Sequence, residues 1–139
     1  MRVLVTGGRD FIDVPWLWNV LDDHQPISVI IEGASDEVTG PYKGADYWAN
    51  QWALANEVQA IRQPALWRLH GKAAGPIRNE YMITAHKPDL VIAFPGGNGT
   101  AHMVKMAAKY KVACKVLAKD SPWVDYPVHK SYEVPGTGI

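Results

Sequence analysis

Residues Leu90–Phe94 (LVIAF) form an unbroken apolar run that stops abruptly at Pro95-Gly96-Gly97-Asn98-Gly99-Thr100-Ala101. An apolar run without alternation is the pattern of a strand covered on both faces, which is the situation of a strand inside a parallel sheet. Three glycines in four residues, followed by Thr100 and the helix-like stretch Thr100–Tyr110, read as a tight turn from that strand into a helix. Val3–Thr6, Ser28–Glu32 and Val112–Leu117 repeat the apolar-run pattern, and Val58–Arg62 does so more weakly. Helices are expected at Trp16–Asp23, at Ala45–Glu57 and at Ile77–His86, the last with Pro76 in its first turn. In Ala45–Glu57 the residues Ala45, Trp48, Ala49, Trp52 and Ala53 make one apolar stripe at helical spacing. The alternation predicts an α/β fold: a doubly wound, mainly parallel sheet of about five strands with helices on both faces. Ser35–Lys43, with Gly40-Pro41, is expected to be an inserted surface loop, and residues 121–139 an irregular tail behind a single domain over residues 1–120.

The chain has 139 residues, enough for one ordinary domain, and its 47% hydrophobic content can supply a core. Fourteen Lys and Arg balance fourteen Asp and Glu. That balance argues against a nucleic-acid partner, which normally leaves a basic footprint, and against an electrostatic membrane anchor. No stretch reaches the roughly 20 apolar residues of a membrane span, and no signal peptide is readable, so a cytoplasmic location is expected. The single cysteine, Cys114, cannot form an internal disulfide; lying in the apolar run Val112–Leu117, it is expected to be a buried thiol, not a nucleophile. No metal site and no cofactor are expected, since the histidines are scattered and cysteine pairs are absent.

In an open parallel sheet, ligands bind beyond the carboxyl ends of the strands. Three turns there carry unusual chemistry. Thr6-Gly7-Gly8-Arg9-Asp10 combines adjacent glycines, which admit a ligand to the backbone, with the guanidinium fork of Arg9, suited to phosphate. It has the spacing of neither a dinucleotide fingerprint nor a P-loop. Pro95-Gly96-Gly97-Asn98-Gly99-Thr100 offers free backbone N–H groups at a positive helix end, an anion site that needs no charged side chain; Thr100 also reads as a helix N-cap. Gly75-Pro76-Ile77-Arg78-Asn79-Glu80 presents an Arg, an amide and a carboxylate in a first helical turn. Arg78 opposes the macrodipole there, which suggests that it faces a ligand, whereas Glu80 suits the dipole. His102 lies one turn after the glycine loop, within reach of a phosphate or facing solvent. Asp46 opens the second helix as a cap or as a partner of a ribose hydroxyl.

Taken together, Val3-Leu4-Val5-Thr6-Gly7-Gly8-Arg9-Asp10-Phe11, Lys43-Gly44-Ala45-Asp46 with Trp52-Ala53, Ala74-Gly75-Pro76-Ile77-Arg78-Asn79 and Phe94 to Ala101 resemble the small YspA-type, cpYpsA-related SLOG proteins of bacteria and their phages. The resemblance covers roughly residues 1–118. It implies a Rossmann-like fold, nucleotide-type ligands and frequent dimers, within a superfamily that also holds the LOG-type phosphoribohydrolases and the DNA-processing protein DprA. LOG-type enzymes carry Pro-Gly-Gly-x-Gly-Thr-x-x-Glu, and the final Glu helps to break an N-glycosidic bond. Here that position is Met103, a thioether that cannot stabilise an oxocarbenium ion or activate water.

Two functions follow from the resemblance and the residues. The first is a module that binds a nucleoside monophosphate, NAD or ADP-ribose type ligand to sense or sequester it. Gly96, Gly97, Gly99 and Thr100 would hold a phosphate, Gly7, Gly8 and Arg9 the facing wall, and Arg78 and Asn79 a second phosphate or the ribose. The second is an N-glycoside hydrolase using Arg78, with Glu80 as the first acid to test and Asp46 or Asp10 behind it. Six tryptophans in so small a chain point further to a homodimer or higher oligomer that covers some of them.

Overall fold

The computed structural model describes residues 1–118, and the expected tail over 121–139 lies outside them. Five short strands alternate with helices: β1 (Arg2–Thr6), α1 (Val14–Asp23), β2 (Val29–Glu32), α2 (Asp36–Thr39), α3 (Ala45–Ala55), β3 (Gln59–Arg62), α4 (Trp67–His70), a 3-10 turn (Gly71–Ala73), α5 (Ala74–His86), β4 (Leu90–Ala93), α6 (Asn98–Lys109) and β5 (Ala113–Val116). All strand pairs are parallel, in the order β3-β2-β1-β4-β5. The expected doubly wound α/β architecture is the one observed. From β1 the chain moves outward through β2 to β3, then returns across the sheet to β4 and β5. The direction of winding therefore reverses between β1 and β4, and a crevice opens at their carboxyl ends.

The twofold repeat of the strands sorts the core into two layers. Val3 and Val5 of β1, Ile30 of β2 and Leu90 and Ile92 of β4 pack with Trp16, Leu17, Val20, Ala49 and Trp52, under α1 and α3. Leu4, Ile31 and Val91 point the other way, to Met82, Ile83, Met103 and Ala107 of α5 and α6. Runs such as LVIAF are apolar throughout because both faces of the sheet are covered.

Several boundaries differ from the sequence expectation. The surface-loop segment contains the helical turn α2, whose acids Asp36 and Glu37 suit its N-terminal end and whose Asp36 is held by Arg62. α5 starts at Ala74 and takes in Gly75 and Pro76, because N–H groups in a first turn have no intrahelical acceptor to lose. Thr100 is not the cap of α6: the helix begins at Asn98 behind Gly97, and Thr100 lies inside its first turn.

The described tryptophans other than Trp67 are absorbed by the fold itself. Trp16 and Trp52 are buried, Trp52 Nε1 donates to Asp22 Oδ1 at 2.9 Å, and Trp18 Nε1 donates to the Trp48 carbonyl at 3.1 Å. Cys114 is buried as expected, and burial pushes its thiol up to about 11. Among the described residues no helix is long and apolar enough to cross a membrane.

Candidate functional site

The two glycine turns meet at the crevice. Gly8 N–H donates to the Pro95 carbonyl at 2.9 Å, and Ala45 N–H at the start of α3 donates to the Gly8 carbonyl at 3.1 Å. Contact this close requires glycine. A Cβ on Gly96 would lie 2.7 Å from Gly8 N and 3.0 Å from the Gly7 carbonyl carbon, and one on Gly7 would lie 2.6 Å from Ala45 Cβ. Gly96 and Pro95 thus join the loops together, while Gly97 and Gly99 have nothing within 4 Å of where a Cβ would be. The space beside Gly97 and Gly99 is the cleft itself, about 490 Å³ in volume and lined further by Thr6, Gly7, Gly8, Asn98 and Thr100. The first N–H groups of α6 have no acceptor within the helix, so this wall presents donors and the positive end of a dipole.

Arg78 and Asn79 form the opposite wall, on the second turn of α5. Arg78 Nη1 donates to the Gly33 carbonyl at 2.6 Å, and its Nε to Asn79 Oδ1 at 2.9 Å. Asn79 is buried, and its amide nitrogen donates to the Gly99 carbonyl at 3.2 Å and meets His102 Nδ1 at 3.1 Å. One amide therefore ties the guanidinium to the glycine turn and to His102. Asp46, at the start of α3, is buried and accepts from Ser35 N–H at 3.1 Å; it does not cap its own helix. Burial raises its pKa, against the pull of Ser35 and of Arg78. Burial also lowers that of Arg78, with Asp46 opposing, but a guanidinium stays charged.

Most of the sequence candidates therefore converge: Gly7, Gly8, Arg9, Asp46, Arg78, Asn79, Gly97, Asn98, Gly99, Thr100 and His102 all line one cleft. Glu80 does not join them. Its carboxylate accepts from Tyr110 Oη at 2.6 Å and from Lys109 Nζ at 2.9 Å on the α5–α6 seam, and Tyr110 together with Lys109 holds it below the usual carboxylate range. A two-residue step along a helix turns a side chain by about 200°, so Arg78 and Glu80 cannot share a face. Asp10 pairs with Lys43 at 3.3 Å and is not part of the cleft lining. Met103, at the position of the LOG carboxylate, is buried with Leu4, Met82 and Val91 beneath the sheet.

Three lining residues escaped the sequence reading, Ser35 among them. Trp67 and Lys72 come from the connection after β3, and the Arg9 guanidinium carbon lies 5.4 Å from the centre of the Trp67 ring. The available signal was positional: a strand-to-helix connection at the same edge, carrying an aromatic and basic residues. A further omission, outside the lining, is Glu32, completely buried at the end of β2. It accepts from Ala34 N–H at 2.6 Å and from Arg62, which also pairs with Asp36. Burial pushes Glu32 up to about 8 despite Arg62.

Comparison with known proteins agrees with the resemblance read from the motifs. The model of the YspA, cpYpsA-related SLOG family matches residues 1–70, from β1 to the end of α4. The "Gene 61 protein" of Mycobacterium phage D29 is 35% identical over 118 residues, covering 78% of this chain and 89% of the phage protein.

Proposed function

Because the chain belongs to the YspA, cpYpsA-related SLOG family, we propose that its cleft binds a nucleotide or nucleotide-derived phosphate ligand, of nucleoside monophosphate, NAD or ADP-ribose type, to sense or sequester it. The observation that carries this reading is the charge inventory around the α6 N-terminus. Arg9, Lys72 and Arg78 line the cleft against one carboxylate, Asp46. In a chain of zero formal net charge, that local excess is matched by a ligand carrying phosphate. On this reading the N–H groups of Gly97 to Thr100 hold one phosphate. Arg78, held flat by Gly33 and Asn79, presents its remaining donors to the phosphate or the ribose. Calorimetric titration with AMP, NAD and ADP-ribose tests it: at least one should bind, more weakly as salt rises, and Arg78→Ala should cost roughly tenfold to a hundredfold in affinity. Failure of all three to bind at about 1 mM would remove the proposal.

A second reading, N-glycoside hydrolysis, is favoured by one observation. Asp46 is the carboxylic acid in the cleft lining, and its burial raises its affinity for a proton. As the acid, it would pass that proton to the departing base nitrogen while the C1′–N bond breaks and water adds at C1′, the water's released proton returning to the Asp46 carboxylate. Free base released from AMP by the wild type and not by Asp46→Asn would support this reading, and intact AMP after prolonged incubation would exclude it for that substrate.

A cytoplasmic, homo-oligomeric protein belongs to the same proposal. The exposed apolar side chains Leu66, Leu69, Ile77 and Tyr81, in and beside α4 and α5, support the oligomer. A monomer in light scattering at micromolar concentration would exclude the oligomer.

A further inference from the structure

We propose that the indole of Trp67, with the Arg9 guanidinium over it, is the seat for a purine base, so that the cleft reads the ring of its ligand as well as the phosphate. The inference rests on the nucleotide reading above and adds the recognised group to it. Trp67 is the first residue of α4 and remains 38% exposed, whereas Trp16 and Trp52 are buried in the core and Trp18 and Trp48 are partly buried against it. A large apolar ring left half in water at the lip of a polar cleft contributes little to folding and is available to cover a ligand. Its position is set from two sides. α5 comes up to the ring edge at Gly75, where a Cβ would stand 3.5 Å from Cη2, and Arg9 places its cation 5.4 Å from the ring centre. The guanidinium lies over one face of the indole, and the two groups together make a positively charged stack, which favours an electron-rich aromatic ring over a sugar or an aliphatic group.

The two halves of the cleft carry different chemistry. Gly97 to Thr100 offer N–H donors, suited to phosphate oxygens, while Trp67 is the aromatic residue in the lining. One molecule that presents anionic oxygens at one end and a flat ring at the other satisfies both, and a cleft of about 490 Å³ lies in the range of small-ligand sites. A bicyclic purine covers more of an indole than a pyrimidine does, so purine nucleotides are the expected class.

Titration of AMP, UMP and ribose 5-phosphate against the wild type, Trp67→Ala and Trp67→Phe tests the inference. The wild type should bind AMP roughly tenfold more tightly than ribose 5-phosphate, with UMP between them. Trp67→Ala should erase the advantage of AMP while leaving ribose 5-phosphate affinity unchanged, and Trp67→Phe should restore most of it. Quenching of tryptophan fluorescence by AMP should disappear in both variants. Equal wild-type affinity for AMP and ribose 5-phosphate would overturn the base seat and leave the phosphate site standing. So would a Trp67→Ala variant that weakens both ligands alike with an unchanged far-ultraviolet circular dichroism spectrum. If neither compound binds the wild type, the seat falls, and the nucleotide reading falls with it only when NAD and ADP-ribose also fail to bind.

Discussion

At the carboxyl ends of β2 and β3, charge is gathered and closed: Glu32 and Asp36 both hold Arg62, and Ala34 N–H supplies Glu32 with a further donor. At the carboxyl ends of β1 and β4, a short distance along the same sheet edge, charge is gathered and left open. There Arg9, Lys72 and Arg78 surround a helix N-terminus with Asp46 as their lone counter-charge in the lining. The first cluster satisfies itself with internal partners. The second satisfies its supporting groups, such as the Arg78 Nε and the Asn79 amide, and leaves donors facing the cleft. A sheet edge is thus a place where charge can be put, and the glycine turns at the reversal of winding decide where a ligand can reach it.

The largest expected effect separates the two kinds of glycine within the open cluster. Gly96→Val should prevent stable folding or lower the melting temperature by many degrees, because its Cβ would overlap the backbone of Gly7 and Gly8. Gly97→Val should leave melting nearly unchanged and abolish phosphate-ligand binding, since its side chain would enter the cleft. Equal melting losses in both variants would erase the distinction. Next comes the closed cluster: Arg62→Ala takes from the buried Glu32 carboxyl and from Asp36 the donor they share, and urea denaturation should register a loss of about 2 kcal/mol.

A smaller effect is the pH dependence of that cluster. A carboxyl with a folded pKa of about 8 and an unfolded value near 4.5 binds more protons in the folded state between those limits. Its contribution to stability is therefore fully present below about 4.5 and is lost as pH rises toward 8. Asp46, also raised by burial, adds the same sign. His86, lowered by burial and by Arg2, works the other way just below 6.5. Glu32→Gln should flatten the decline of unfolding free energy between pH 5 and pH 8, measured against about 1 kcal/mol per pH unit in the wild type. A wild-type stability that rises across this range would contradict it. The smallest effect belongs to Glu80→Gln, which should alter neither ligand affinity nor any base release, because Glu80 faces Tyr110 and Lys109 away from the cleft. A changed affinity would return Glu80 to the site.

Much of this was legible in the residue order. Leu90–Phe94 and its glycine turn announced a covered parallel strand feeding a helix, because unbroken apolar runs and glycines act locally. Arg78 stood out as a cation expected in a first helical turn, although α5 starts at Ala74 and puts it in the second, and Asn79 beside it has the amide that joins both walls. Glu80 looked equally placed in sequence, yet helical rotation carries it to the opposite side. Trp67 and Lys72 could not be assigned by pattern, since α4 is four residues long and has no period to read. Glu32 looked like the polar end of a strand, and nothing local signals that Arg62, 30 positions away, closes over it.

The sequence by itself determined the alternation of strands and helices, the parallel class of the sheet and the two glycine turns, since each depends on the conformational limits of neighbouring residues. Tertiary structure alone decided which glycine touches backbone and which touches empty space, which acid enters the cleft and where the indole stands. Those outcomes depend on strand order and on helix rotation, which bring together residues such as Gly8 and Pro95, or Arg9 and Trp67, that no local rule connects.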